Sequence, residues 1–326
     1  MKQVDRGAPF LWTVEGPEGR AYLYGTIHLP DERVLDLPKV VEAAFGDSGA
    51  YYSEIESSPA VELESQTAAM LKNGATLPEM VGKGTWERVT SRLKQKGADP
   101  LIATFMEKME PWAVSSMLPA LDYLAAQMEG KRPLDHVLYR RAKAAGKMVG
   151  GLETVQEQVG IFAALSKAEQ ILMLTETLDM LDRYEADGKD AMQETVRAWL
   201  SGKEAALLEL MKDSFGHDKA LRERLESELL WKRNRVLADR ISSRFKANQG
   251  TVSFFAVGAL HMPDAPKPTK TASGKDGTEV AKAAEQKTAE QRRKERKLGL
   301  VSLLRAKGYR VTRVAAPKPV PAAAGK

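Results

Sequence analysis

Short runs of aromatic and β-branched residues stand at both ends of the chain, and helical periodicity fills the space between them. The run RAYLYGTIH, residues 20–28, has the make-up of a strand that delivers its last residues to a loop. In LDLPKVVEAAFGDSG, Pro38 stands at a helix start, Val40, Val41, Ala44 and Phe45 recur at helical spacing, and Gly46 closes the pattern. AYYSEIES then returns to a strand. Strand, helix and strand at this spacing predict a βαβ unit, with the acidic strand beside that of His28. The expected class is α/β (α+β), with a central mixed, mostly parallel sheet and a large helical middle section.

From about residue 59 to 246 the pattern is predominantly helical, punctuated by Gly and Pro, with GKMVGGLET as a strand candidate after the helix PLDHVLYRRAKAAG. One long helix is expected from Asp218 to Gly250, feeding the apolar run TVSFFAVGALH. LGLVSLLRAKGYRVTRV reads as a helix, a turn at Gly308 and a last strand. The expected organisation is a single domain over 1–264 plus 298–315 with a helical insert at about 59–246. Residues 265–297 form a basic low-complexity insertion in this reading, and 316–326 a disordered tail.

Two of these apolar runs end alike. AYLYGTIHLPD and FFAVGALHMPD both carry a histidine three residues after a glycine, followed by an apolar residue, Pro and Asp. The chain has four histidines and 25 glycines, so chance gives two such pairs with a probability of roughly 3–4%. A neutral imidazole suits divalent Zn, Mn, Co or Fe, or acts as a general base near neutral pH. Glycine lets backbone or substrate approach without a Cβ in the way. Both strand ends are expected at the carboxyl edge of the sheet, where open α/β folds bind ligands. His28 and His261, with Gly25 and Gly258, are therefore candidates for two halves of one site.

Composition narrows the chemistry. A hydrophobic fraction of 43% with 29% charged residues is that of a globular chain of 326 residues. Zero cysteines removes thiol nucleophiles, disulfides and thiolate metal sites. The net charge of +5 resides in residues 265–297, which hold ten Lys or Arg against five Asp or Glu; subtracting these from 49 and 44 leaves 39 of each. A neutral remainder without aromatic-basic interleaving argues against specific nucleic-acid readout. No run of 18 apolar residues is present, and the first residues lack the apolar core of a signal peptide. The expectation is a soluble bacterial protein, exported or periplasmic if a leader has been trimmed and cytoplasmic otherwise.

A hydrolytic site also needs carboxylate and electrophile. YYSEIE offers Glu54 and Glu56, on one face if the strand is regular. WKRNRVLADRI supplies Arg233 and Arg235 just before the second histidine strand. His136 and His217 lack the glycine and read as structural or surface residues. HExxH, GxSxG, Walker A and GxGxxG are all absent.

Taken together, the two GxxH blocks, the LW ahead of the first, LPKVVEAAFGDSGAYYSEIE, PLDHVLYRRAKAAGKMVGGLETVQEQ, WKRNRVLADRI and LVSLLRAKGYRVTRV resemble the TraB/PrgY/GumN family, which includes the Tiki metalloproteases. The resemblance implies a hydrolase-like site built from both GxxH motifs, the acidic strand and the Arg-Asn helix. By position it points to His28, Glu54, Arg233 and His261 as catalytic, with His28, Glu54 and His261 holding a divalent metal (Mn, Co or Zn). Gly25, Gly258, Asn234 and Glu153 are implied as supporting residues, and Glu56 joins them from the spacing of the acidic strand. The expected substrate is a peptide or small molecule. Capture of a ligand without turnover, and a metal-independent esterase with His28 or His261 as general base, remain open on the residues alone.

Overall fold

A computed structural model describes residues 6–266 and 297–315 of the chain. Six strands form one mixed sheet: β1 (Leu11–Gly16), β2 (Gly19–Thr26), β3 (Ala50–Ser53), β4 (Met148–Gly151), β5 (Ser253–Gly258) and β6 (Arg310–Arg313), in the order β4-β3-β5-β2-β1-β6. β4, β3, β5 and β2 run parallel, whereas β1 is antiparallel to both β2 and β6. The expected α/β class with a mixed, mostly parallel sheet is what forms. The hairpin of β1 and β2, turning at Pro17 and Glu18 with Gly16 opposite Gly19, is an addition to the predicted strands.

One neighbour relation differs from the simple βαβ expectation. β3 does not lie beside β2, because β5 is inserted between them and pairs with both. Its sequence SFFAVG explains the position. Phe254 packs among Tyr24, Phe45 and Tyr51 on one face, while Phe255 stacks on Tyr52 at 5.5 Å on the other. A strand with large apolar groups on both faces gains most in the middle of a sheet covered on both sides. The consequence is that the strands of His28 and His261 are direct neighbours, with Thr26 opposite Gly258.

The helices between β3 and β5 bury a second apolar cluster, distinct from that around the sheet, with Leu77, Val89, Leu93, Leu118, Leu174 and Leu178 among its members. The helix expected from Asp218 to Gly250 is interrupted. Lys219–Glu226 and Arg233–Ala247 are α-helical, and Ser227–Lys232 between them is a π-helix. A π turn carries an extra residue and rotates the next stretch of helix, a distortion frequent at functional sites. Here it immediately precedes Arg233.

The two Asp residues that follow the histidines both bond at a helix start, one as its N-cap and the other from a distant part of the chain. Asp31 caps Glu32–Leu35 by accepting from the Arg33 amide at 2.9 Å. Asp264 accepts from the Gly299 amide at 2.8 Å and from Ser302 Oγ at 2.9 Å, at the start of Leu300–Ala306. Ala265 N donates to Lys297 O at 2.9 Å, so the chain returns to within one hydrogen bond of where it left. The basic insertion, apart from its two ends, and the tail 316–326 lie outside the described residues. No helix among the described residues is long and apolar enough to cross a membrane.

Candidate functional site

The carboxyl ends of β2, β3 and β5 open onto a cleft of about 580 Å³ whose lining includes His28, Glu54, Gln158, Arg233, Gly258 and His261. The fold thus brings together both histidines, the first of the two acidic residues and the first of the two helix arginines named from the sequence.

The two glycines of the repeat do different work. Register places Gly25 opposite Val257 rather than Gly258, so the motifs are offset by one residue. A Cβ on Gly25 would lie 2.9 Å from Phe10 Cβ and 3.1 Å from Ala259 Cα, so this glycine lets the first motif press against the second. A Cβ on Gly258 would lie 3.0 Å from Glu54 Oε1, 3.6 Å from His261 Cδ2 and 3.8 Å from His28 Nε2. Gly258 therefore marks the point on which the three candidate side chains converge, and its lack of a side chain keeps that point open.

Each histidine is held through Nδ1 by a side-chain oxygen. His261 Nδ1 is 2.5 Å from Asn234 Oδ1, while Asn234 Nδ2 donates to Leu298 O at 2.9 Å. That second bond orients the amide, so Nδ1 carries the hydrogen and the Nε2 lone pair is directed away from Asn234. Burial lowers the His261 pKa to about 4, and the ring is neutral at ordinary pH. His28 Nδ1 is 2.7 Å from Asp135 Oδ2, and Thr26 Oγ1 donates to Asp135 Oδ1 at 2.7 Å. The Asp135 carboxylate raises His28 to about 9, against the opposing effect of burial. The His28 side chain is 59% exposed into the cleft and that of His261 only 5%. Protein surrounds the His28 ring on the other sides, so water screens its pairing with Asp135 in part. The repeated motif therefore yields two unequal histidines, one cationic and open, one neutral and enclosed.

Glu54 is the hub. The strand ends at Ser53, so Glu54 and Glu56 come after it in a bend instead of sharing a regular strand face. Glu54 turns inward, and Glu56 departs to accept from Tyr139 Oη at 3.0 Å. The Glu54 backbone carbonyl takes hydrogen bonds from the amides of Leu152 and Glu153, anchoring it to the end of β4. Its side chain accepts from Gly258 N at 2.6 Å, Gln158 Nε2 at 3.2 Å and Arg233 Nη2 at 2.5 Å, and lies 3.9 Å from His261 Nε2. Burial alone would raise its pKa, but the fields of His261, Arg233 and His28, with the Gly258 amide, hold it well below the usual carboxylate range. His261 joins in only in acid, where it is protonated; near neutrality Arg233 and His28 carry the effect.

Arg233 spans two carboxylates. Its Nη2 also donates to Glu153 Oε2 at 2.6 Å, and its Nε lies 3.1 Å from both Glu153 oxygens. Glu153 precedes the helix Val155–Ala163, whose N-cap is Thr154, so it is a partner of Arg233 and not a cap. The residues that sequence reasoning passed over are Asp135, Thr26 and Gln158. Asp135 sits in the block PLDHVLYRR next to His136, and the signal available for it was a carboxylate in the first turn of a predicted helix. His136 itself pairs with Glu62 at 2.6 Å, and His217 lies against Arg183, as expected of structural residues.

Among the described residues, no group of three or more His, Asp or Glu side chains is arranged to hold a metal ion. Of the possible donors, His261 offers a neutral Nε2 and Glu54 an ionised carboxylate, whereas His28 would become a donor only on losing its Nε2 proton, with Asp135 and Asn234 as the outer partners of the two rings.

A sequence model of the TraB/PrgY/gumN family matches residues 10–267. Among curated relatives, the chain is 26% identical over 294 residues to metalloprotease TIKI2 of Danio rerio, covering 78% of this chain and 57% of that protein. It is 25% identical over 293 residues to metalloprotease TIKI1 of Homo sapiens, covering 78% and 58%. It is also 23% identical over 203 residues to an uncharacterized protein of Treponema pallidum, covering 60% and 59%. The chain thus spans less than two thirds of the length of these relatives. No solved structure matches it.

Proposed function

The chain belongs to the TraB/PrgY/gumN family, and from that premise we propose that the cleft is the active site of a metal-dependent hydrolase acting on peptide bonds. The observation that carries the reading is the convergence of His28 Nε2, Glu54 Oε1 and the His261 ring edge on Gly258. Similarity to proteins named metalloproteases supports it.

In this reading His261, Glu54 and His28, the last only after giving up its Nε2 proton, would hold a divalent ion, which would supply Lewis-acid polarisation of the substrate carbonyl. His261 presents a neutral Nε2 because Asn234 holds the proton on Nδ1. Asp135 aims the His28 ring and favours electron donation from it. Arg233 fixes the Glu54 carboxylate and contributes a positive field where negative charge develops on the substrate oxygen. Gln158 and the Gly258 amide hold Glu54 against rotation.

The test is metal-stripped protein returned to Mn, Co or Zn and assayed on a mixed peptide library, with anomalous scattering measured at the cleft. Cleavage restored by metal and lost in His261→Ala and His28→Ala supports the proposal. Bound peptide without cleavage under every metal refutes it. Asp135→Asn is expected to lower activity or metal affinity about 10- to 100-fold, as for other outer partners of a ligating histidine.

A further inference from the structure

The polar groups just described occupy only the floor of the cleft. Beyond them it runs into the helical layer, where Met173, Met180, Met192, Leu207, Leu210 and Met211 form the walls. The charged side chains that line it, Glu54, Arg233 and His28, and the neutral His261 all sit at the floor. Hydroxyls in the wall are turned to the protein: Ser116, Thr177, Thr195 and Ser214 each donate to the carbonyl four residues back in the same helix. The chamber therefore meets its occupant with apolar surface. Four methionines make that surface adaptable, since an unbranched thioether refits around side chains of different shape.

The other side of the floor carries more charged side chains. A second groove, of about 450 Å³, shares His28, Glu54 and Gln158 with the first and continues past Glu56, Glu62 and Asp135. The candidate reacting groups thus lie where a chamber walled by uncharged side chains meets a groove that carries Glu56, Glu62, Arg132 and Asp135, so charged groups of a chain crossing that line find partners on one side only.

We infer that the cleft selects peptides carrying large apolar side chains on one side of the floor and polar residues on the other. This specificity deepens the hydrolase reading and rests on it for turnover, but not for binding. Placing a charge in the chamber strips its water without supplying a partner, so peptides with charged groups on that side are rejected. Truncating or repelling one apolar side chain is expected to cost about 10- to 200-fold in selectivity.

The test uses the full chain and three acetylated, amidated octapeptides: four alanines and two lysines with a central leucine pair, the same with a central aspartate pair, and one with lysines on both flanks of an alanine pair. Binding is measured by calorimetry on metal-stripped protein and cleavage on metal-loaded protein. Expected is binding of the leucine peptide at least about tenfold tighter than the other two, abolished in Met192→Glu and retained in Met192→Leu. Leu210→Glu, on a different helix, repeats the loss, and thermal melts identify either variant that fails to fold. Tight, Met192-dependent binding without cleavage sustains the specificity and refutes the hydrolase. Cleavage indifferent to leucine against aspartate sustains the hydrolase and overturns the specificity. Absence of binding to all three overturns the specificity as well.

Discussion

Replacing Arg233 by methionine keeps the apolar stem and removes the cation that joins Glu54 to Glu153. Both carboxylates are buried, with side chains 9% and 3% exposed, so the variant leaves two negative charges facing each other out of water. The system escapes by protonating one of them. At about pH 7.5, against an ordinary glutamate pKa near 4.3, that costs roughly 4 kcal/mol at about 1.36 kcal/mol per unit. The penalty is therefore capped near 4 kcal/mol, inside the range of about 3–5 kcal/mol found when a buried pair loses one partner. In the variant a folded-state carboxylate pKa is raised, so the deficit is small below the unfolded pKa and grows as pH rises. Urea titrations from about pH 5 to pH 7.5 are expected to show the gap from the parent protein widening by roughly 1.4 kcal/mol per unit. Adding Glu153→Gln to Arg233→Met is expected to recover most of the loss. Arg233→Lys recovers less than half, since one ammonium cannot reproduce the fork across both carboxylates. A loss below about 1 kcal/mol, the range of an exposed pair, or a gap that does not change with pH, refutes the account.

The two motif glycines separate stability from chemistry. Gly25→Ala is expected to cost about 1–3 kcal/mol by denaturant titration, because its Cβ meets Phe10 and Ala259. Gly258→Ala, whose Cβ meets Glu54, His261 and His28, is expected to fall at least about 100-fold in turnover, with a smaller stability loss than Gly25→Ala. Asp31 provides a second pH test. Burial opposes its ionisation, but hydrogen bonds from Arg33 and Tyr123 lower its pKa from 3.8 to about 2. Its contribution of about 2 kcal/mol is complete above about pH 4 and is lost as pH falls through 2. Between pH 5 and pH 2 the parent is thus expected to lose about 2 kcal/mol more than Asp31→Asn. Finally, replacing residues 267–296 by a short Gly-Ser link is expected to leave cooperative melting intact, since Ala265 and Lys297 already share a hydrogen bond and Asp264 already accepts from Gly299 and Ser302. A lost or broadened transition contradicts that.

Much of this protein is written in local pattern. The strands RAYLYGT, AYYS, MVGG and SFFAVG, the helix over PLDHVLYRRAKAAG and the closing helix and strand follow from periodicity and from the Gly and Pro between them. The paired GxxH motifs mark His28 and His261 without any coordinates, because a repeat in a chain with four histidines is itself informative. The resemblance of several ordered blocks to one family then singles out Arg233 and Asn234 among many helix residues.

Pattern leaves open which strand lies between which, and which way a side chain faces once regular structure stops. Hydrophobic runs specify that a strand is buried but not its neighbours, so the insertion of β5 between β2 and β3 emerges only when Phe254 and Phe255 both find aromatic partners. Glu54 and Glu56 are indistinguishable by spacing, and the bend after Ser53 separates them into a buried hub and a partner of Tyr139. Asp135 is 107 residues from His28 in sequence and 2.7 Å from it in space. Two matching motifs were legible from the start; their inequality, one histidine charged and open and one neutral and enclosed, is set by the Asp135 carboxylate beside His28 and by the burial of His261. Both arise from contacts between parts distant in the chain, which exist only after the core has closed.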